Sequence, residues 1–320
     1  MTKKHTFPIR YDILVIPYIV SLFVVSIPLM LIFGAKKGLE LYGIYILAQA
    51  VFQSRTWKLI ARQSWLNLIP TLVIGPVFAV SGVIVLLLAW LSCILFKSKK
   101  QLQLNVLITL STMLYLMGIR AIVRARSFKE MQSAEPAIHA SNHAGYPDNF
   151  FVGARMAGLY WTIMVKDLMM KIPPFSFYLA EGRGIPIERD PKTNTPTHES
   201  RQKALADADK RIKQRVSLAM FPEGTRLKKK GVYIGTFKKG MTVLSWNNKM
   251  PVITFMIVWS KLFESSLEKP LLFTGTIYAE ENYTFYPADY TSHEEMQADI
   301  AATFQREIKD KLWKYYRVRF

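Results

Sequence analysis

Cysteine is almost missing from this sequence, in which Cys93 is the one thiol among 320 residues. A single cysteine cannot build a disulfide framework, so the redox compartment of the protein is not constrained. The same scarcity argues against a zinc site, which needs three or four ligands. His139 and His143 are four positions apart, but Cys93 lies inside an apolar run and is a poor third ligand. No metal is therefore expected.

Acidic residues are also in the minority, with 23 Asp and Glu against 42 Lys and Arg, a net charge of +19. The excess is spread along the chain, because residues 1–119 carry a net +9 and the remainder a net +10. Such a charge favours anionic partners, namely phospholipid head groups, nucleic acid or a phosphorylated substrate. The sequence lacks a Lys/Arg-rich tail and an RNA-binding aromatic motif, so no nucleic-acid partner is expected.

Charge of either sign is missing altogether from three long stretches near the N-terminus: Ile13–Ala35, Leu66–Phe96 and Gln101–Ile119. The first two are long enough to span a bilayer, and the third either spans it or lies on its surface. Together they predict an α-helical membrane region over residues 1–119, with two or three hydrophobic helices. Membrane phospholipids are its expected surroundings.

A shorter apolar stretch, Leu41–Phe52, has the features of an interfacial segment. Its flank carries basic and aromatic residues, Arg55, Trp57, Lys58, Arg62 and Trp65, which suit the membrane surface.

A basic cluster follows the third long stretch and favours the cytoplasmic side of a membrane. Its members are Arg120, Arg124, Arg126 and Lys129. We expect an integral membrane protein whose second part faces the cytosol, at the endoplasmic reticulum of a eukaryote or the inner membrane of a bacterium. Two spans with an inside N-terminus and three with an outside one both give this orientation.

Beyond about residue 130, short apolar runs alternate with polar helical stretches. The expected strands are Ala137–Ser141, Trp161–Val165, Gly184–Ile187, Ser217–Phe221 and Val252–Val258,. The expected helices are Phe150–Leu159, Thr197–Arg215, Phe237–Trp246 and an amphipathic helix over 293–316,. This alternation predicts an α/β domain over residues 120–320, in which helices flank a mixed β-sheet.

The first group of candidate catalytic residues lies in the turn that runs from Ser141 to Asp148, where four residues separate His143 from Asp148. Pro147 suits the first turn of a helix, so Asp148 is expected near a helix N-terminus that favours its ionised form. A histidine held by an aspartate is the general-base part of a catalytic triad. By itself, a histidine in such a turn is more often a plain turn residue.

The nucleophile of such a triad is missing. A serine hydrolase of the α/β type would carry its serine in Gly-x-Ser-x-Gly, and that motif does not occur in this sequence,.

A second group of residues follows the strand that ends near Phe221, in the order Pro222, Glu223, Gly224, Thr225, Arg226. Glycine allows a tight turn, Thr225 adds a hydrogen-bond donor, and Arg226 offers a planar fork that suits phosphate. Further positive charge comes from Lys228, Lys229 and Lys230. Two other strand ends supply further candidate phosphate ligands, Arg189 and Lys166.

These motifs resemble those of the lysophosphatidic acid acyltransferase family of glycerolipid acyltransferases. Asn142-His143 to Asp148 matches the family's Asn-His-x-x-x-x-Asp motif, and Phe221–Arg226 matches its Phe-Pro-Glu-Gly-Thr-Arg motif in full. Gly184–Arg189 is similar to the second motif and Pro251-Val252-Ile253 to the fourth. The resemblance covers roughly residues 120–265. Ala144-Gly145, Glu188 and Leu227 depart from the usual residues, and these departures bear on the substrate.

The resemblance implies an O-acyltransferase with the glycerolipid acyltransferase fold, whose nucleophile is the hydroxyl of its own substrate. His143 would remove the hydroxyl proton, and Asp148 would orient the imidazole and stabilise its charged form. The acyl donor would be acyl-CoA or acyl-carrier protein, used as a co-substrate, and no cofactor is implied.

The resemblance also assigns the acceptor site. Lys166, Arg189 and Arg226 would bind the phosphate of a lysophospholipid acceptor, beside Gly224 and Thr225. Glu223 would bind a glycerol hydroxyl or orient Arg226. The expected product is phosphatidic acid, made from lysophosphatidic acid.

Three alternatives stay open. The acceptor is another lysophospholipid or glycerol-3-phosphate; water is the acceptor, which makes the protein a lipid hydrolase; or the protein is an inactive lipid-binding relative with a membrane role. The intact His143, Asp148, Glu223 and Arg226 speak against inactivity.

Overall fold

The fold is described from a computed structural model of the chain. It covers residues 3–7, 9–10, 12–53, 68–95, 99–143, 145, 147–159, 161–171, 179, 184–190, 192–193, 195–227, 234–259 and 275–316.

Four helices are described between residues 12 and 116: α1 (Asp12–Phe33), α2 (Ala35–Gln53), α3 (Leu68–Leu95) and α4 (Lys99–Leu116). Helices α1, α3 and α4 correspond to the three uncharged stretches of the sequence, and α2 covers the predicted interfacial segment. The basic and aromatic flank of that segment, Arg55 to Trp65, lies outside the described residues. Gly34 separates α1 from α2 at φ +82°, a conformation that favours glycine,.

Within the described part of the chain, one helical segment is long and apolar enough to cross a membrane, Leu72–Ser92. Ile19–Phe33 and Leu104–Leu116 are apolar but shorter. Large apolar side chains on these helices face outward, and Leu31 is 81% and Leu72 73% exposed. Exposed apolar surface of this kind suits a lipid environment, while the number of spans stays a prediction.

The described strands form one nine-stranded mixed sheet. They are β1 (Lys3–Lys4), β2 (Ile9–Arg10), β3 (Ile119–Arg124), β4 (Ile138–Ser141), β5 (Trp161–Lys166), β6 (Gly184–Ile187), β7 (Ser217–Met220), β8 (Val252–Trp259) and β9 (Gly275–Phe285). The order across the sheet is β2-β3-β9-β8-β4-β7-β5-β6, and β1 also pairs with β9. Strands β4 to β8 are mutually parallel, whereas β9 runs antiparallel to β8.

The predicted mixed α/β sheet is therefore confirmed, and the five predicted strands end within one residue of the observed ones. Four strands were not predicted. The first two pair across the N-terminal region, β1 with β9 and β2 with β3. The division into a membrane region over 1–119 and a catalytic domain over 120–320 stays a prediction, although these two short strands join the sheet of the second part.

Helices cover both faces of the sheet: α5 (Phe128–Gln132), α6 (Pro147–Met156), α7 (His198–Lys213), α8 (Gly240–Asn248) and α9 (His293–Tyr316). The predicted helix over Phe150–Leu159 was placed three residues late, because Pro147 occupies the first turn,. Thr197 caps α7 by accepting a hydrogen bond from the Ser200 N–H at 3.2 Å,.

Two clusters of buried apolar side chains hold these layers together. On one face, α6 and the N-terminal helices share a core with Phe255 and Ile257 of β8. On the other face, α7, α8 and α9 pack against Ile138 of β4 and Met256 of β8. The sheet is thus fixed between two helical layers, and the carboxyl ends of its parallel strands form one edge.

Candidate active site

The predicted site residues follow the carboxyl ends of neighbouring parallel strands, the place where open α/β sheets bind ligands. His143 follows β4, Glu223 and Arg226 follow β7, and Arg189 follows β6. Lys166 is the last residue of β5 and pairs in register with Ile187 of β6. The topology therefore brings the three sequence motifs to one edge of the sheet.

Asn142 fixes the chain where it leaves β4. Its Nδ2 donates to the carbonyl oxygen of Ile257 at 2.8 Å, and its Oδ1 accepts from the Ile257 N–H at 2.8 Å. The side-chain amide thus continues the ladder between β4 and β8. We assigned Asn142 no role from the sequence, although its place beside His143 in the motif was a signal.

His143 and Asp148 contact each other directly. His143 Nδ1 lies 3.3 Å from Asp148 Oδ2, and the Gly145 N–H donates to the same oxygen at 2.7 Å. Asp148 is fully buried in the first turn of α6, where the helix dipole favours a carboxylate,. A carboxylate only accepts hydrogen bonds, so in a neutral imidazole this contact places the proton on Nδ1 and the lone pair on Nε2.

The turn after β7 holds His143 from a second side. The Phe221 ring stacks on the imidazole, with centroids 4.1 Å apart and planes 21° apart. The His143 N–H donates to Glu223 Oε1 at 3.4 Å, and the Leu227 N–H donates to the His143 carbonyl at 3.0 Å. The His143 side chain keeps 14% of its surface exposed, so a substrate can reach it.

Glu223 is buried beneath this turn, and burial raises the pKa of its carboxyl to about 7,. Its Oε2 has no hydrogen-bond partner among the described residues. The turn closes where the Gly224 N–H donates to the Phe221 carbonyl at 2.9 Å, with Gly224 at φ +68°. This positive φ explains why the position is glycine.

The structure places the predicted phosphate-binding residues less directly. Contacts join His143, Asp148 and Glu223, whereas Lys166, Arg189 and Arg226 share their edge of the sheet through strand register and sequence position. Thr225 is exposed and Arg226 is partly buried in the same turn. Lys228, Lys229 and Lys230 lie outside the described residues.

Histidine and acidic side chains do not gather into a metal centre in the described part of the chain, where no three potential ligands lie together. His139 is buried within β4, and burial lowers its pKa to about 3.

Comparison with known proteins places this geometry among acyl-transferring enzymes. A family model described as Acyltransferase matches residues 91–258, just over half of the chain. The solved structure of the 1-acyl-sn-glycerophosphate (LPA) acyltransferase PlsC from Thermotoga maritima is similar, with a TM-score of 0.58 and 19% sequence identity. The match covers 76% of this chain and 95% of that one, and shows a shared fold. A search of curated proteins found no match.

Proposed function

The chain belongs to the acyltransferase family, and on this basis we propose that it moves a fatty acyl group from an acyl thioester to lysophosphatidic acid. The product is phosphatidic acid. The printed name of the similar Thermotoga maritima enzyme supports this choice of acceptor, as does the full Phe-Pro-Glu-Gly-Thr-Arg motif over Phe221–Arg226.

The observation that carries the proposal is the contact between His143 Nδ1 and Asp148 Oδ2. It leaves Nε2 unprotonated on a side chain that a substrate can reach. A base so placed takes the proton of the acceptor hydroxyl, and Asp148 stabilises the imidazolium that forms. Proton transfer of this kind contributes a factor of about 10²–10⁴ to the rate.

The reaction needs no nucleophile from the protein. As Nε2 removes its proton, the acceptor oxygen attacks the thioester carbonyl carbon and the carbonyl π electrons move to oxygen. When the tetrahedral intermediate collapses, the carbon–sulfur bond breaks and the thiolate leaves. The imidazolium returns the proton to sulfur, so His143 ends the cycle neutral. The donor is acyl-CoA or acyl-carrier protein, and neither a metal nor a cofactor takes part.

Three cations hold the acceptor in this proposal. Lys166, Arg189 and Arg226, on the same edge of the sheet, bind its phosphate, with Arg226 offering a forked donor set. Glu223 binds a glycerol hydroxyl or orients Arg226. A clamp of this kind contributes to catalysis by holding the hydroxyl at Nε2.

The enzyme works at a membrane in this proposal, with its catalytic domain on the cytosolic side. The apolar segment Leu72–Ser92 and the exposed side chains of α1 and α3 support attachment to a bilayer. The chain leaves the sheet after Arg10 and returns to it at Ile119. The helices between these two strands therefore begin and end on the same side of the membrane. They either cross it an even number of times or enter it without crossing.

A panel of acceptors tests the proposal. Purified protein in liposomes receives labelled oleoyl-CoA with lysophosphatidic acid, lysophosphatidylglycerol, lysophosphatidylinositol or glycerol-3-phosphate, and acyl-carrier protein replaces CoA in a parallel series. We expect label in phosphatidic acid. Transfer to another acceptor changes the substrate assignment but leaves the proposed mechanism unchanged. Release of free fatty acid alone indicates a hydrolase, and no turnover with either donor leaves an inactive lipid-binding protein.

A further inference from the structure

A largely buried group of titratable side chains lies on the same face of the sheet as α6. We call it the Glu281 cluster; its members are Arg126, His139, Arg155 and Glu281. Arg155 Nη2 donates to Glu281 Oε2, and Arg126 Nε donates to Glu281 Oε1 at 2.6 Å. The side chains of Arg155 and Glu281 are 5% and 3% exposed. None of these residues takes part in the proposed reaction.

This cluster is hard to explain by stability. Burying charged side chains is energetically costly, and a protein with apolar residues of the same volume in their place is often at least as stable. Burial acts to raise the pKa of Glu281, but the charges of Arg155 and Arg126 hold it below its usual value. His139 stays neutral, so the cluster carries two positive charges and one negative charge.

The cluster is connected to the candidate site through α6. Asp148 lies in the first turn of this helix and Arg155 in its last turn, seven residues or about two turns away,. Both side chains are therefore on one face of α6 and point toward the sheet. Asp148 meets His143 after β4, and Arg155 meets Glu281 on β9. Any slide or rotation of α6 that separates one pair also disturbs the other.

Apolar packing beneath α6 restrains the helix less sharply. Phe255 of β8 stacks on Phe151 of α6 with centroids 5.6 Å apart, and the Arg155 guanidinium lies 5.7 Å from the Phe255 ring. A cavity remains beside these groups, lined by His139, Ser141, Arg155 and Glu281, among others. Dispersion contacts are non-directional and tolerate small shifts toward a void, whereas an ion pair with a forked donor fixes direction.

We propose that Arg155 and Glu281 are positioning residues that hold α6 in the place where Asp148 contacts His143 Nδ1. The inference rests on the proposed function, because the contact matters for turnover only if His143 is the base. Arg155 touches no reacting atom in this scheme and acts through Asp148.

The test compares Arg155→Met with Lys311→Met in the full-length protein. Lys311 forms a buried ion pair with Glu307 at 2.9 Å, and both side chains are 9% exposed. Both residues lie on α9, and Lys311 also pairs with Glu280 of β9 at 3.3 Å. Lys311 thus joins α9 to the opposite face of the sheet, so its replacement reproduces the cost in stability without affecting α6. For each variant we would measure the melting temperature, kcat, and KM for lysophosphatidic acid.

We expect both variants to melt at lower temperature, but only Arg155→Met to lose kcat, by about 10²-fold with KM within about twofold. Arg155→Lys, which keeps the charge and loses the fork, should recover part of that rate. A kcat near that of the wild type in folded Arg155→Met overturns the inference. If Arg155→Met does not fold, Glu281→Gln decides by the same criterion.

A spectroscopic measurement separates this inference from the proposed function. The low-field Nδ1 proton of His143, assigned by its loss in His143→Ala, reports the contact with Asp148 without any substrate. It should shift or disappear in Arg155→Met and persist in Lys311→Met. An unchanged signal in both variants overturns the inference, even if no acceptor is acylated. If the signal shifts in Arg155→Met but the wild type acylates no acceptor, the proposed function is wrong and the inference about α6 stands.

Discussion

Neighbouring residues hold both the ring and the backbone of His143 and leave Nε2 of the ring for the proposed chemistry. Asp148 accepts from Nδ1, Phe221 stacks on the ring, and Glu223 accepts from the backbone N–H. A base held this way loses little further freedom when substrate binds, which is the condition for efficient proton transfer. In the proposed mechanism, Nε2 is the atom that faces the acceptor hydroxyl.

Glu223 gives a prediction at this scale. Burial raises the pKa of its carboxyl from 4.5 to about 7 in the folded protein. Between these values the folded state keeps a proton that the unfolded state has lost, so wild-type stability falls as pH rises from about 4.5 to 7. The loss levels off above pH 7 and totals about 3 kcal/mol.

Glu223→Gln removes this dependence, because the amide does not ionise. Melting temperatures of both proteins at pH 5 and pH 8 check this prediction. The stability of the variant minus that of the wild type should be larger at pH 8 than at pH 5. A difference between the two proteins that is the same at both pH values would count against a protonated Glu223.

Elements with strong local signals were predictable from the sequence, and those defined by distant partners were not. Apolar runs between turns marked β4 to β8. The strand β9 carries Glu280, Glu281 and Asn282 in its middle, and this polar run hides its strand character. The basic cluster led us to interpret Ile119–Arg124 as a membrane flank, although it is β3.

The same distinction applies to the site. Motif spacing predicted His143, Asp148, Glu223 and Arg226, because the reactive residues of each motif lie within a few positions of each other in the sequence. The link from Arg155 to Glu281 joins residues 126 positions apart, and no local pattern marks such a partner. Similarly, β1 and β2 have two residues each, too few to show a period of two.

These two short strands lead to a prediction at the scale of elements. Since β1 pairs with β9 and β2 with β3, the N-terminus and the catalytic sheet should share one side of the membrane. In a Cys93→Ser background, Thr6→Cys and Gln305→Cys each place one thiol at an exposed position. A membrane-impermeant maleimide added to sealed vesicles should label both or neither.

Vesicles opened with detergent provide the control, since both thiols should then react. Labelling of one position and protection of the other in sealed vesicles would mean that strands β1 and β2 do not pair with the sheet in the membrane.

At the scale of the whole molecule, the apolar N-terminal helices and the sheet share one core. Val24 of α1, Tyr42 of α2 and Phe255 of β8 belong to the same buried cluster. Helix α4 returns from the apolar layer and leads directly into β3. The candidate active-site edge is therefore held at a fixed place relative to the apolar helices. In the proposed function this arrangement suits an acceptor with one acyl chain and a product with two.

In the proposed mechanism His143 activates the acceptor hydroxyl, and replacing this histidine shows whether it does. Labelled oleoyl-CoA and lysophosphatidic acid are given to wild type, His143→Ala and His198→Ala in liposomes; His198 is an exposed histidine at the start of α7. We predict that the first substitution lowers kcat by about 10²–10⁴-fold with the melting temperature little changed, and that the second leaves the rate intact. A His143→Ala variant that forms phosphatidic acid at the wild-type rate would mean that another group removes the hydroxyl proton.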